Sequence, residues 1–139
     1  MILEKNVFLN IDFEDKNSAL EEVYKVMLEN GCNEEYVKSI PDREKEASFN
    51  IGCLIAIPHG TYEASQKITL SQIFVWHLKK PLKWDDSEVK LIIALCLNND
   101  DQLNILQNIA IKAMDEEIFE DTLQNPTKKD ILNLFEEQL

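Results

Sequence analysis

The sequence predicts an α/β sandwich, a few strands with helices before, between and after them. Three observations predict it. Apolar residues recur at helical spacing in both the first and the last third of the chain. Residues 73–76 and 89–97 form apolar runs of strand length in the middle. The 139 residues contain three glycines, no repeat and no Gly/Ser linker, so residues 1–139 are expected to form a single domain.

The elements follow in order. Val7, Phe8 and Leu9 form a short apolar patch, an edge strand or a turn. Ser18-Ala-Leu-Glu21 has the spacing of a capping box. Leu20, Val23, Tyr24 and Met27 then repeat at helical spacing, and Gly31 supplies a stop, which predicts a helix over 18–30. Asn33 can cap a second helix carrying Tyr36, Val37 and Ile40. Pro41 should break or kink that helix, because proline lacks the amide donor and its ring meets the preceding turn. Residues 42–45 then continue as helix or turn. Residues 53–57 (CLIAI) are a short apolar run that ends at Pro58-His59-Gly60. The segment 81–86, between the two longer runs, reads as a turn or short edge strand. From Asp101 on, Leu103, Leu106, Ile109, Ala110 and Ala113 make one helical stripe. Asp115 can cap a short helix with Ile118, Phe119 and Leu123. Thr127 and Asp130 cap a last one with Ile131, Leu134 and Phe135.

Composition narrows the function. Hydrophobic residues make up 45%, enough for a core without disulfide or metal staples. No apolar run approaches the roughly 18 residues of a membrane helix, and the N-terminus lacks the basic-then-apolar pattern of a secretory signal. A cytoplasmic protein with no direct membrane insertion is expected. The net charge of −12 argues against nucleic acid as a partner, since phosphate backbones need a basic face. The three cysteines, Cys32, Cys53 and Cys96, are odd in number and contain no CxxC, which argues against a disulfide framework and a zinc site. Cys53 and Cys96 lie in apolar runs and read as buried free thiols. The paired carboxylates Asp85/Asp86 and Asp100/Asp101 diverge as neighbours in a strand or turn, so no metal site is expected there. No GxSxG elbow and no GxxxxGK[ST] loop occurs, so neither a serine hydrolase nor an ATP site is expected.

The most specific local feature is Ile55-Ala-Ile-Pro-His-Gly60. A strand ends, proline stiffens the exit, histidine occupies the tip, and glycine permits a close backbone approach or a sharp turn. His59 is then either an imidazole presented on a rigid base or a turn residue without a role.

These residues resemble the mannitol/fructose class of enzyme IIA domains of the sugar phosphotransferase system. The signature of that class is met by Glu44, Ile51, Gly52, Ile55, Ala56, Ile57, Pro58, His59 and Gly60. The flanking segments Asn6-Val-Phe-Leu9, Glu35-Tyr-Val37, Asp42-Arg-Glu-Lys45 and Pro58-His-Gly-Thr61 are similar to the mannitol subgroup in wording and order. The resemblance implies a small mixed sheet flanked by helices, with the His59 loop at one edge. It implies that His59 is phosphorylated by the carrier protein HPr and passes the group to a cysteine of an enzyme IIB, for uptake of mannitol or a similar sugar. No cofactor is implied. It also implies that Arg43 stabilises the phosphate, where a guanidinium can make two parallel hydrogen bonds; the other reading of Arg43 is a surface residue in an ion-pair run. Gly60 and Thr61 follow the histidine, and Thr61 can bond phosphate or cap a turn.

One position departs from the pattern. Members of the mannitol subgroup carry a second histidine near the start of the helix after the last strand, and Gln102 aligns there. Its amide can donate a hydrogen bond but cannot become a cation or relay a proton. His77 reads as a partly exposed strand residue, and Trp84 as packing. Two rivals remain, a regulatory module of the same fold and a binding protein with a vestigial signature. Gln102 favours the regulatory module, whereas the chain's length weighs against a multidomain regulator.

Overall fold

The computed structural model describes residues 4–135. In the region from Asn99 to Ile118, the side chains of Asn99, Leu103, Leu106, Ala110 and Ile118 lie outside the described residues, so the predicted stripe is testable there only at Ile109 and Ala113. The chain forms a five-stranded mixed sheet with helices on both faces. After a 3-10 turn (Glu4–Asn6) come β1 (Val7–Ile11), α1 (Lys16–Glu29), α2 (Glu34–Glu46), β2 (Asn50–Gly52), β3 (Ile55–Ala56) and α3 (Tyr62–Ser65). Then follow β4 (Gln72–Trp84), β5 (Ser87–Cys96), α4 (Asn99–Ala113), α5 (Glu116–Gln124) and α6 (Lys128–Asn133). The strand order is β1-β4-β5-β3-β2. β1 is parallel to β4 and β3 to β5, whereas β4/β5 and β2/β3 are antiparallel.

Side-chain alternation along the two long strands divides the core. Phe74, Trp76, Leu78, Val89, Ile92, Ala94 and Cys96 face α1 and α2, packing with Leu20, Val23, Met27, Tyr36 and Ile40. Ile73, Val75, Leu91, Ile93, Leu95 and Leu97 face the other way, against Ile105, Ile109, Phe119, Leu123 and Ile131 of α4, α5 and α6. Burial on both faces explains why these strands read as continuous apolar runs.

Several expectations are corrected in detail. The cap of α1 is Asp15, whose carboxylate accepts from the Ser18 amide at 2.8 Å, and Ser18 is the reciprocating third helical residue. Pro41 does not break α2, which runs on to Glu46. Tyr36, Val37 and Ile40 bind the helix to the sheet while Pro41 is exposed, so tertiary packing overrides the loss of one amide donor. Residues 81–84 belong to β4 itself, with an irregular register between His77 and Leu82. The hairpin closes at Asp85, whose φ is +60°. Cys96 and Cys32 are buried, but Cys53 is exposed, because Cys53 and Leu54 form a tight turn with φ of +56° and +68° between β2 and β3.

His77 is the largest correction. It is fully buried rather than partly exposed. Its Nε2 donates to the Leu123 carbonyl at the end of α5, and its Nδ1 accepts from the Asn10 amide at 3.4 Å. α5 covers this face of β4, and periodicity within the strand carries no information about that cover. Trp84 is fully buried, as packing requires.

Candidate functional site

β3 is two residues long, and the chain leaves it through Ile57 and Pro58. His59 then makes a single parallel bridge with Leu95 of β5. The backbone around this exit is fixed at successive points. The Ile57 amide donates to the Phe49 carbonyl at 2.9 Å, and the Leu95 amide donates to the Pro58 carbonyl at 3.0 Å. The Thr61 amide donates to Ser39 Oγ at 3.0 Å. Gly60 lies against α2: a Cβ there would come within 2.6 Å of both Ser39 Oγ and Tyr36 Cε1, so the close approach requires glycine.

This scaffold selects one form of the His59 ring. Nδ1 lies 2.8 Å from the Ile57 carbonyl oxygen. A carbonyl can only accept, so Nδ1 carries the proton and Nε2 holds a lone pair. Among the described residues Nε2 has no hydrogen-bond partner. Phe49 packs beside the imidazole with ring centroids 5.3 Å apart. Burial, and then the Arg43 charge, push the His59 pKa below its ordinary value, against the opposing Ile57 bond. The ring is therefore neutral at neutral pH, with its nucleophilic nitrogen bare.

Arg43 projects from α2 on the face that also carries Tyr36 and Ser39, at positions i, i+3 and i+7. Its only ion pair among the described residues is with Glu46, at 4.0 Å. Glu46 is largely exposed, so this contact holds the guanidinium weakly. Arg43 and Thr61 border an open depression of about 380 Å³ with Glu46, Tyr62 and Glu63. Thr61 Oγ1 accepts from the Ala64 amide at 3.2 Å, capping α3; its hydroxyl hydrogen remains available to an anion. A separate depression of about 330 Å³, lined by Cys53, Leu54, Glu88, Phe119 and Glu120 among others, includes neither His59 nor Arg43. Among the described residues no group of His, Cys, Asp or Glu side chains converges on a metal position.

Gln102 sits behind the loop, 6% exposed. Its Nε2 donates to the Leu97 carbonyl at 2.9 Å and to the Tyr36 hydroxyl at 3.2 Å. Both amide hydrogens are thereby committed, and neither is left for a phosphate. Tyr36, Ser39 and Phe49 are the residues around His59 that sequence reasoning missed. Tyr36 reads there as an ordinary core residue. Its shared helical face with Arg43 was the available signal.

Fold and site together define a class: a mixed-sheet α/β protein that holds one neutral imidazole at a strand exit beside an arginine. Residues 1–138 match the family model described as phosphoenolpyruvate-dependent sugar phosphotransferase system, EIIA 2. The chain is 30% identical over 133 residues to the mannitol-specific phosphotransferase enzyme IIA component of Staphylococcus aureus strain Mu50, covering 95% of this chain and 92% of that one. It is 28% identical over 139 residues to the protein of the same description from Bacillus subtilis strain 168, covering 99% and 97%. A solved complex of enzyme IIA-mannitol with phosphorylated enzyme IIB-mannitol from Escherichia coli contains a similar fold. Its TM-score is 0.82 at 22% identity, covering 97% of this chain and 98% of that one. The chain belongs to the enzyme IIA family of the sugar phosphotransferase system and is a phosphocarrier of that system.

Proposed function

We propose that His59 is the phosphorylated residue, that HPr is the donor, and that a cysteine of an enzyme IIB is the acceptor. The observation that carries this reading is the Nδ1–H bond to Ile57, which leaves Nε2 bare on a ring whose pKa the Arg43 charge helps to lower. In the first transfer the Nε2 lone pair attacks the phosphorus of the donor's phosphohistidine. The new N–P bond forms as the donor's N–P bond breaks; the donor ring, protonated on its other nitrogen, leaves as neutral imidazole, and His59, which keeps its Nδ1 proton, carries the positive ring charge until Nε2 gives the group up. In the second, a thiolate takes the phosphoryl group from Nε2. Catalysis here is positioning and charge stabilisation. Arg43 is suited to the phosphoryl oxygens, with the Thr61 hydroxyl as a further donor. The names of the relatives support mannitol or a similar sugar as the transported substrate; the chain acts in the cytoplasm as a single domain.

The experiment is incubation with enzyme I, HPr and phosphoenolpyruvate. Acid-labile phosphate should appear on the wild type and be absent from His59→Ala. An unlabelled wild type would overturn the carrier reading, and label on the variant would overturn the site. A regulatory reading is favoured by one observation, the uncharged and committed Gln102 amide at the second-histidine position. Label that never reaches any enzyme IIB would decide for it.

A further inference from the structure

We propose that Tyr36 is a positioning residue for phosphoryl transfer: its hydroxyl ties together the three segments that aim His59. This rests on His59 being the reacting residue. The Tyr36 hydroxyl donates to the Leu95 carbonyl and accepts from Gln102 Nε2. The Tyr36 ring also packs against Gly60. Leu95 is the bridge partner of His59, and its amide holds the Pro58 carbonyl. Gly60 directly follows His59. Gln102 anchors α4 to Leu97. A single buried oxygen thus links α2, the end of β5 and the start of α4, and the ring that carries it packs on the histidine loop. The aromatic ring adds a steric limit, because it lies where a Cβ at Gly60 would have to go.

The connection to chemistry runs through the tautomer. The bare Nε2 depends on the Nδ1–H bond to Ile57, two residues away on the same short loop. The loop is anchored to Leu95 on one side and packed on Tyr36 on the other. Loss of the hydroxyl releases the Leu95 carbonyl and one Gln102 hydrogen, both buried. The ring is then free to sample the tautomer with the proton on Nε2, which cannot attack phosphorus. Tyr36 never touches the phosphate; it acts through Gly60 and Leu95.

The test is Tyr36→Phe, which keeps the ring against Gly60 and deletes only the hydroxyl. Nitrogen NMR of the histidine rings reads the tautomer directly in the unphosphorylated protein. The wild type should show Nδ1 protonated and Nε2 bare at His59, and Y36F a mixture of both. Acceptance of phosphate from phosphorylated HPr should slow about threefold in Y36F, in proportion to the bare-Nε2 fraction that is lost. Ile40→Val, a buried change on the same helix, controls for lost stability and should leave the tautomer and the rate as in wild type. A wild-type tautomer and rate in Y36F would overturn the proposal, as would equal shifts in Y36F and I40V. If Y36F fails to fold, Gln102→Met removes the hydroxyl's donor from the far side; it should give the same mixture with a rate loss of about threefold, and no change would overturn the proposal. The tautomer measurement needs no phosphoryl donor, so it stands or falls separately from the identity of the donor and of the phosphorylated residue.

Discussion

The two histidines of this chain, His59 and His77, sit one at the exit of a strand and one inside a strand. Both are neutral for the same first reason, since burial lowers both pKa values. Both bond to a backbone carbonyl, His59 through Nδ1 and His77 through Nε2. The difference lies in the second nitrogen. In His77 it accepts the Asn10 amide, so the ring is fully spent on joining β1, β4 and α5. In His59 it meets no protein partner among the described residues. A lowered pKa therefore does not distinguish a reactive imidazole from a structural one. What the second nitrogen faces does.

The largest expected effect comes from exchanging the roles of the two residues. His59→Ala should remove all acid-labile label. His77→Leu should be labelled at the wild-type rate, yet it strands two buried backbone groups, the Asn10 N–H and the Leu123 C=O. Its stability should fall by about 2–4 kcal/mol in urea unfolding. Slower labelling beyond what lost folded protein explains would break the comparison.

Arg43→Ala comes next. It removes the cation beside His59, and the rate of phosphate acceptance should drop about a hundredfold, the scale of losing one charge-stabilising donor. A loss of less than about threefold would mean that Arg43 is only a member of its surface ion-pair run.

The pH dependence sharpens the comparison further. Both histidines have folded pKa values below the ordinary value of about 6.5. The unfolded chain therefore binds more protons on acidification, so stability is fully present above that value and is lost as pH falls through it towards the folded values. The acid limb of the phosphate-acceptance rate should have its midpoint below about 6.5, and Arg43→Ala should move it upward because the Arg43 charge lowers the His59 pKa. His77→Leu should flatten the acid loss of stability and leave the rate profile unmoved.

The smallest effect is expected from Gln102→His. A neutral imidazole has one N–H where the amide has two. Either the Leu97 carbonyl or the Tyr36 hydroxyl then loses its donor, at a cost of about 1–2 kcal/mol measured by thermal unfolding. An increase in stability would show that the amide is not the tie that its distances describe.

These contrasts also show what was legible in the residues alone. The continuous apolar runs at 73–76 and 89–97 marked both long strands, because burial on two faces leaves a local imprint. Asn33 and Thr127 announced their helices through side chains that bond their own neighbours. His59 stood out because proline and glycine bracket it. The three-residue β2 and two-residue β3 left no periodicity to read, and α3 is a single capped turn. The alternatives at Pro41 and Pro81 stayed open because the packing that tolerates them lies elsewhere in the chain. The same limit hid the cover over His77 and the hydroxyl of Tyr36, whose partners are dozens of residues away in sequence.

The most direct test of the central claim is the nitrogen that carries the phosphate. The phosphorylated protein, with nitrogen-15 in its histidines, should show phosphorus coupled to Nε2 of His59 and an unmodified His77. Phosphorus on Nδ1 of His59, or on His77, would contradict the account.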